Sequence, residues 1–219
     1  MSFAPSSRVK LNLHQLARFP GDGLFDRVAR AVCRAECLPR KELYEAWELA
    51  RRTRRRFRGG RVVDLACGHA LLAHLMLLLD DTSPAAIAVD SCVPKSAAKI
   101  ARVMTEEWPR LAGRVETVTG SLDDVALGPT DVVVSCHACG ELTDRVLARA
   151  VAARARVAVL PCCHDENRCD LGGLRGWMDP SLAIDATRVA RLRAAGYRVH
   201  TQVIPAEITP KNRLLLGEP

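Results

Sequence analysis

The sequence predicts an α/β fold in which a mostly parallel sheet is flanked by helices. After Gly59-Gly60, short apolar runs alternate with longer helical stretches, which is typical of repeated β-α units. Hydrophobic residues make up 48% of the 219 residues and aromatic residues only 4%, which favours buried strands beneath Ala- and Leu-rich helices. This length fits one such domain with a helical extension.

Residues 1–58 are predicted to form a helical extension, and residues 59–219 the α/β domain. One helix is expected over Leu24–Ala35, where the pattern becomes helical after a turn. A second helix is expected to begin near Pro39, because proline is favoured at a helix start. It ends in an arginine-rich run at residues 51–58. Those cations either complement the helix macrodipole or form an edge that binds a polyanion.

Seven strands are predicted in the α/β domain. They are Arg61–Leu65, Ala85–Asp90, Val115–Thr119, Asp131–Cys136, Val157–Leu160, Tyr197–Ile204 and Arg213–Leu216. The clearest helices between them are His69–Leu79, Pro94–Trp108, Glu141–Ala153 and Ser181–Ala194. Because no helix separates the last two strands, they should pair as an antiparallel hairpin.

The clearest motif is a hydrophobic strand that ends in an acid and a tight turn, Val62-Val63-Asp64-Leu65-Ala66-Cys67-Gly68-His69-Ala70. It resembles motif I of class I methyltransferases, which bind S-adenosylmethionine in a Rossmann-like fold with a terminal antiparallel hairpin. In that family the turn is usually richer in glycine, and here Ala66 and Ala70 stand where glycines often occur. Small residues let the backbone approach the methionine part of the cofactor closely. The missing Gly-x-Gly-x-x-Gly weighs against a dinucleotide-binding enzyme.

The resemblance implies a set of cofactor-binding residues at the turn and at the ends of the following strands. Asp90 ends the second strand, where a carboxylate can accept hydrogen bonds from both ribose hydroxyls. By the same resemblance, Ser121 and Leu122 are the candidates for contact with adenine. The full predicted set is Asp64, Ala66, Cys67, Gly68, His69, Asp90, Ser91, Ser121, Leu122 and Cys136.

Two further motifs, rich in cysteine and histidine, follow the fourth and fifth predicted strands. They are His137-Ala138-Cys139-Gly140-Glu141-Leu142-Thr143-Asp144 and Pro161-Cys162-Cys163-His164. Together they resemble a methyltransferase-domain family that includes eukaryotic tRNA 2'-O-methyltransferases, and the segment Ile208–Arg213 fits the same family. The resemblance runs from Lys41 to the C-terminus and does not include the zinc-binding N-terminal module of those tRNA enzymes.

Three interpretations of the cysteines and histidines stay open. They could fill a tight region at the strand ends, as buried thiols often do. They could be catalytic, with His137 orienting or deprotonating the acceptor and His164 or Asp144 supporting it, or with Cys139 and Cys162 acting as nucleophile and partner. They could bind metal, but the doublet Cys162-Cys163 lacks the spacing of a Cys-x-x-Cys site, so no metal is predicted.

These observations predict an S-adenosylmethionine-dependent methyltransferase with an oxygen or nitrogen acceptor. A net charge of +7 makes RNA one candidate acceptor. The alternatives are a non-catalytic protein that binds the cofactor or RNA, and a nicotinamide-dependent oxidoreductase. The most apolar segment, Ala70–Leu79, is too short to span a bilayer, and Met1–Lys10 has no apolar signal core. We therefore expect a cytoplasmic protein with nine reduced cysteines, no membrane contact and no obligate protein partner.

Overall fold

The computed structural model describes residues 3–219, and its strands form one mixed sheet. The strands are β1 (Val62–Leu65), β2 (Ala86–Asp90), β3 (Val115–Thr119), β4 (Val132–Ser135), β5 (Arg156–Val159), β6 (Arg198–Val203) and β7 (Arg213–Glu218). Their order across the sheet is β3-β2-β1-β4-β5-β7-β6. Strands β1 to β5 are parallel, and β7 lies antiparallel between β5 and β6. The predicted parallel sheet with a terminal hairpin is confirmed.

Within residues 3–219, six α-helices flank this sheet. They are α1 (Leu24–Ala35), α2 (Arg40–Arg56), α3 (Leu71–Leu78), α4 (Ala97–Glu107), α5 (Glu141–Ala152) and α6 (Pro180–Ala194). Short 3-10 helices at Leu13–Arg18, Pro109–Leu111 and Leu122–Asp124 were not anticipated from the sequence. Helix α3 begins two residues later than predicted because Ala70 adopts a left-handed conformation, which a right-handed helix cannot include.

Alternate residues of the strands face two separate cores. Val62 of β1 packs in one core together with the apolar faces of α1 to α4, so the N-terminal helices share a core with the α/β domain. Val63 and Leu65 pack on the opposite face, against α5 and Leu192 of α6. Strands β1 and β4 are buried at every position, which explains why their sequences are nearly continuous apolar runs.

The arginine-rich end of α2 is largely neutralised by acidic residues of the same chain. Its ion pairs are Arg51–Glu48, Arg52–Glu48, Arg54–Asp80, Arg56–Glu218 and Arg58–Asp80. The guanidinium of Arg54 is buried and also donates to the carbonyl of Met76 at 2.9 Å and the hydroxyl of Ser83 at 2.7 Å. These ion pairs therefore favour a structural role for the arginine run. They add to the stabilisation that cations give to the C-terminal end of a helix dipole.

Over residues 3–219, each helix is too short or too polar to cross a bilayer.

Candidate functional site

The turn between β1 and α3 contains three residues with positive φ. Ala66 has φ 59°, Gly68 has φ 53° and Ala70 has φ 59°. The left-handed conformation costs a residue with a Cβ about 1–2 kcal/mol. The two alanines therefore adopt the backbone conformation that glycines usually supply, and strain of this kind is characteristic of functional sites. A Cβ at Gly68 would meet no atom within 4 Å, so the backbone of the turn is open to a ligand.

Two carboxyl groups hold this turn in place. Asp64 is 1% exposed, and it accepts the backbone N–H of Ala73 at 3.2 Å. Asp90 accepts the N–H of Gly68 on one oxygen and that of Cys92 on the other, both at 3.0 Å. Burial raises the pKa of Asp64 to about 8, the negative charge of Asp90 adds to this rise, and the bond from Ala73 opposes it. The Asp64 carboxyl is therefore largely protonated at neutral pH.

A cleft of about 130 Å³ lies beyond the carboxyl ends of β2 and β3. It brings together five of the residues predicted to bind a cofactor: Ala66, Asp90, Ser91, Ser121 and Leu122. Two residues of α5, Leu142 and Arg145, also line it, and neither was among the predicted site residues. Their separation of three residues on one helix could have indicated that they line the same site, because it places both side chains on one helical face.

A second, smaller cavity is lined by the rest of the turn. It contains the other predicted residues Asp64, Cys67, His69 and Cys136, together with His137. Its volume of about 10 Å³ is room for about one water molecule. Residues of α2 and of the segment before it, Leu38, Glu42 and Ala46, cover this cavity. The sequence placed this helix in the helical extension and gave no indication of this role.

His137 is the imidazole in the small cavity. Burial lowers its pKa to about 4, the positive charge of Lys41 on α2 adds to this, and Asp90 opposes it. Its ring is therefore neutral near neutral pH and carries a lone pair that can accept a hydrogen bond. Glu42 on α2 lines the same cavity, and burial together with the charge of Glu45 raises its pKa.

The two residues predicted to support His137 have their polar contacts on or near α6. Arg188 donates from Nε and Nη2 to the two carboxylate oxygens of Asp144, at 3.0 and 2.9 Å. Nε2 of His164 lies 2.8 Å from Oδ1 of Asp185. Asp185 also pairs with Arg213 of β7 at 2.7 Å. These groups form a buried ionic network between α5, α6 and β7 rather than a relay to His137.

The predicted cysteine and histidine cluster divides into separate places. Cys136 and His137 line the small cavity, whereas Cys169 is buried near Arg188. The sulfur atoms of Cys139, Cys162 and Cys163 meet instead at the ends of β4 and β5. His164, directly after these cysteines, turns towards Asp185.

A sequence model described as "Methyltransferase domain" matches residues 41–169. The chain belongs to this methyltransferase-domain family. The matched region runs from the start of α2 through the turn and includes the larger cleft, all of the small cavity except Leu38, and the three-cysteine cluster. No curated protein shows a sequence match to the chain.

Solved structures of methyltransferases share the fold. An O-methyltransferase family protein from Burkholderia thailandensis is 18% identical with a TM-score of 0.54, over 99% of this chain and 65% of that protein. The M1A22 tRNA methyltransferase TrmK of B. subtilis is 14% identical with a TM-score of 0.51, over 78% of this chain and 65% of that protein. The mitomycin 7-O-methyltransferase MmcR is 17% identical with a TM-score of 0.52, over 93% of this chain and 60% of that protein.

At these identities the likeness concerns the fold, and it confirms the predicted class I methyltransferase architecture. The chain spans about two thirds or less of the length of these structures. The narrower resemblance to tRNA 2'-O-methyltransferases stays a prediction.

Proposed function

We propose that this methyltransferase-domain protein uses S-adenosylmethionine and transfers its methyl group to an oxygen or nitrogen acceptor. The observation that carries the proposal is the pair of cavities along the turn Ala66–Ala70. Together they are lined by nine of the ten residues predicted to bind the cofactor, and the tenth, Gly68, lies in the turn itself. Family membership favours methyl transfer over the hydride transfer of a nicotinamide enzyme.

The larger cleft fits an adenosine group. Each oxygen of Asp90 accepts one backbone N–H, and each keeps a lone pair with which to accept a ribose hydroxyl. Leu122 and Leu142 supply apolar walls, which suit a flat base. The open space beside Gly68 leaves a path along the turn from this cleft.

The smaller cavity would take the methionine end of the cofactor and the reacting atom of the acceptor. Asp64 is placed to face positive charge there, and a cation beside it favours the carboxylate form. Because the cavity holds only about one water molecule, the side chains of Leu38, Glu42 and Ala46 must move when both groups enter. In this proposal residues 59–219 form the cofactor-binding domain, and α2 of the helical extension covers the acceptor.

When bound, S-adenosylmethionine supplies an electrophilic methyl group on a positively charged sulfur. The contribution of the chain is mainly to hold the acceptor in line with that group. His137 accepts a hydrogen bond from the acceptor O–H or N–H, which orients its lone pair, and takes the proton as the new bond forms. His69, whose Nε2 lies 2.9 Å from the hydroxyl of Ser96, borders the same space and fixes its wall.

RNA is the acceptor class that we test first. The support for it is the net charge of +7, since a basic surface attracts a polyanion. The arginine run of α2 adds little to this support, because acidic residues neutralise most of it.

The experiment is turnover with a labelled methyl donor, offered separately to RNA, protein and small-molecule fractions of cells. We expect label in one fraction with the wild type and its loss with Asp90→Ala, while Asp22→Ala, an exposed acid in the turn before α1, retains activity. Cofactor binding without transfer to any fraction would instead identify a binding protein. Binding of a nicotinamide cofactor in place of S-adenosylmethionine would overturn the proposal.

A further inference from the structure

Three thiols from two loops converge beside the cofactor cleft. Cys139 follows β4, and Cys162 and Cys163 follow β5, its parallel neighbour in the sheet. The backbone N–H of Gly140 donates to the carbonyl of Cys163 at 3.3 Å, which ties the two loops together. The sulfur atoms lie 3.2 Å apart for Cys139 and Cys162, 3.8 Å for Cys162 and Cys163, and all three lie within 4.8 Å of one another.

These separations match the edge of a metal–thiolate tetrahedron. Zinc binds cysteine sulfur at about 2.3 Å, so two sulfurs on one tetrahedral ion lie about 3.8 Å apart. One observed distance is shorter than this value, one equals it and the third is below 4.8 Å, so small side-chain rotations bring all three sulfurs onto one ion. The objection from spacing, that Cys162 and Cys163 are adjacent in sequence, does not hold in three dimensions, because both sulfurs approach Cys139.

The exposure of two of these cysteines argues against a role in core packing. Cysteines that only fill space are among the most buried residues, as Cys136 and Cys169 are here. By contrast, Cys139 and Cys163 are exposed and line an open cleft of about 300 Å³. Packing in the core therefore does not explain why three thiols meet at this point.

We propose that Cys139, Cys162 and Cys163 bind one zinc ion, with the fourth coordination position open to this cleft. Three protein ligands and one open position are the arrangement of reactive rather than purely structural zinc sites. The cleft shares Leu142 and Arg145 with the candidate adenosine cleft, so the open position lies next to the proposed cofactor. A water molecule or a donor atom of the acceptor is the ligand that fits there.

The test uses the full chain, reduced and stripped of metal, titrated with Co²⁺ and then with Zn²⁺. One equivalent of Co²⁺ should give a thiolate-to-cobalt charge-transfer band and the visible bands of a tetrahedral ion, and Zn²⁺ should abolish both. Cys139→Ser, Cys162→Ser and Cys163→Ser should each weaken zinc binding on the order of 100-fold. Cys92→Ser, which removes an exposed thiol at the end of β2, should bind zinc like the wild type.

Melting temperatures of the metal-free variants show whether each one folds. Absence of a one-equivalent complex, or a charge-transfer band that survives in all three variants, would overturn the zinc site. A Cys139–Cys162 disulfide that persists in the reduced protein would also overturn it. Binding of S-adenosylmethionine is measured on the same samples, so that failure of the zinc site is distinguished from failure of the proposed cofactor.

Discussion

Asp64 illustrates how a single buried carboxyl can couple a binding site to pH. Its ordinary pKa of 3.8 rises to about 8 in the folded chain. The unfolded chain therefore loses this proton near pH 4, whereas the folded chain keeps it until about pH 8. The stability that this group contributes is fully present below about pH 4 and is lost as pH rises towards 8.

We expect Asp64→Asn, which cannot ionise, to gain stability relative to the wild type as pH rises from 4 to 8. The free energy of unfolding, measured by urea denaturation across this range without cofactor, provides the test. The difference should grow to several kcal/mol. Asp22→Asn, an exposed acid, should show no such trend, and a difference for Asp64→Asn that does not vary with pH would contradict the raised pKa.

Asp90 gives the most direct test of the cofactor cleft. We expect Asp90→Ala to weaken S-adenosylmethionine binding by ~1–3 kcal/mol, because the ribose loses charge-assisted hydrogen bonds. Asp90→Asn keeps one acceptor oxygen, but its NH2 group then faces one of the two backbone N–H donors, so we expect it to weaken binding as well. Calorimetry measures both dissociation constants, and unchanged values would remove Asp90 from the cofactor site.

His137 and His164 form a matched pair of partly buried histidines. We expect His137→Ala to lower the methyl-transfer rate by ~10²–10⁴-fold, with near-normal cofactor affinity and melting temperature, because its imidazole lines the acceptor cavity. His164→Ala should instead lower the melting temperature, because it removes one of the contacts that hold Asp185 in the ionic network. Normal turnover in His137→Ala would remove it from catalysis.

At the scale of an element, the two ends of helix α2 have different structural roles. Its first turns place Glu42 and Ala46 against the cavity beside the turn after β1, and the charge of Lys41 acts on His137 there. Its last turn is anchored by Arg54, whose guanidinium lies 3.1 Å from Asp80 and is 2% exposed. The helix is therefore anchored at the end remote from the small cavity, and in the proposed function the end over the cavity is the part that moves to admit the acceptor.

We expect Arg54→Leu to lower the free energy of unfolding by about 3–5 kcal/mol, because it removes the buried cation and leaves Asp80 only the more distant Arg58, at 3.7 Å. Burial raises the pKa of Asp80, but hydrogen bonds from Thr82 and Gly59 and the charge of Arg54 outweigh it and lower the pKa to about 2. The carboxylate therefore depends on these partners. Arg55→Leu changes an exposed neighbour and should stay within about 0.5 kcal/mol. Equal effects in denaturant unfolding would show that the buried pair has no special role.

At the scale of the whole molecule, the order β3-β2-β1-β4-β5-β7-β6 decides which loops meet. The strand order reverses at β1, and its neighbours β2 and β4 place Asp90 and His137 on either side of the turn that follows Asp64. Ligands of parallel α/β sheets bind at such a reversal, outside the carboxyl ends of the strands. The same rule brings the loops after β4 and β5 together and so creates the three-cysteine cluster.

The sequence alone determined the sheet, the terminal hairpin and the strained turn. Apolar periodicity and turn residues act over a few positions, so each strand and helix is specified by its own segment. The alanines at 66 and 70 were placed at glycine-like positions by their motif, and both have positive φ.

Only the tertiary structure decided how side chains group around that turn. Cys163 and His164 are adjacent in an irregular loop, where no periodicity fixes direction, and they turn to Cys139 and to Asp185 respectively. The cover that α2 provides over His137 likewise depends on packing between segments far apart in sequence. Contacts of this kind are set by the lowest free energy of the whole core, which no local pattern contains.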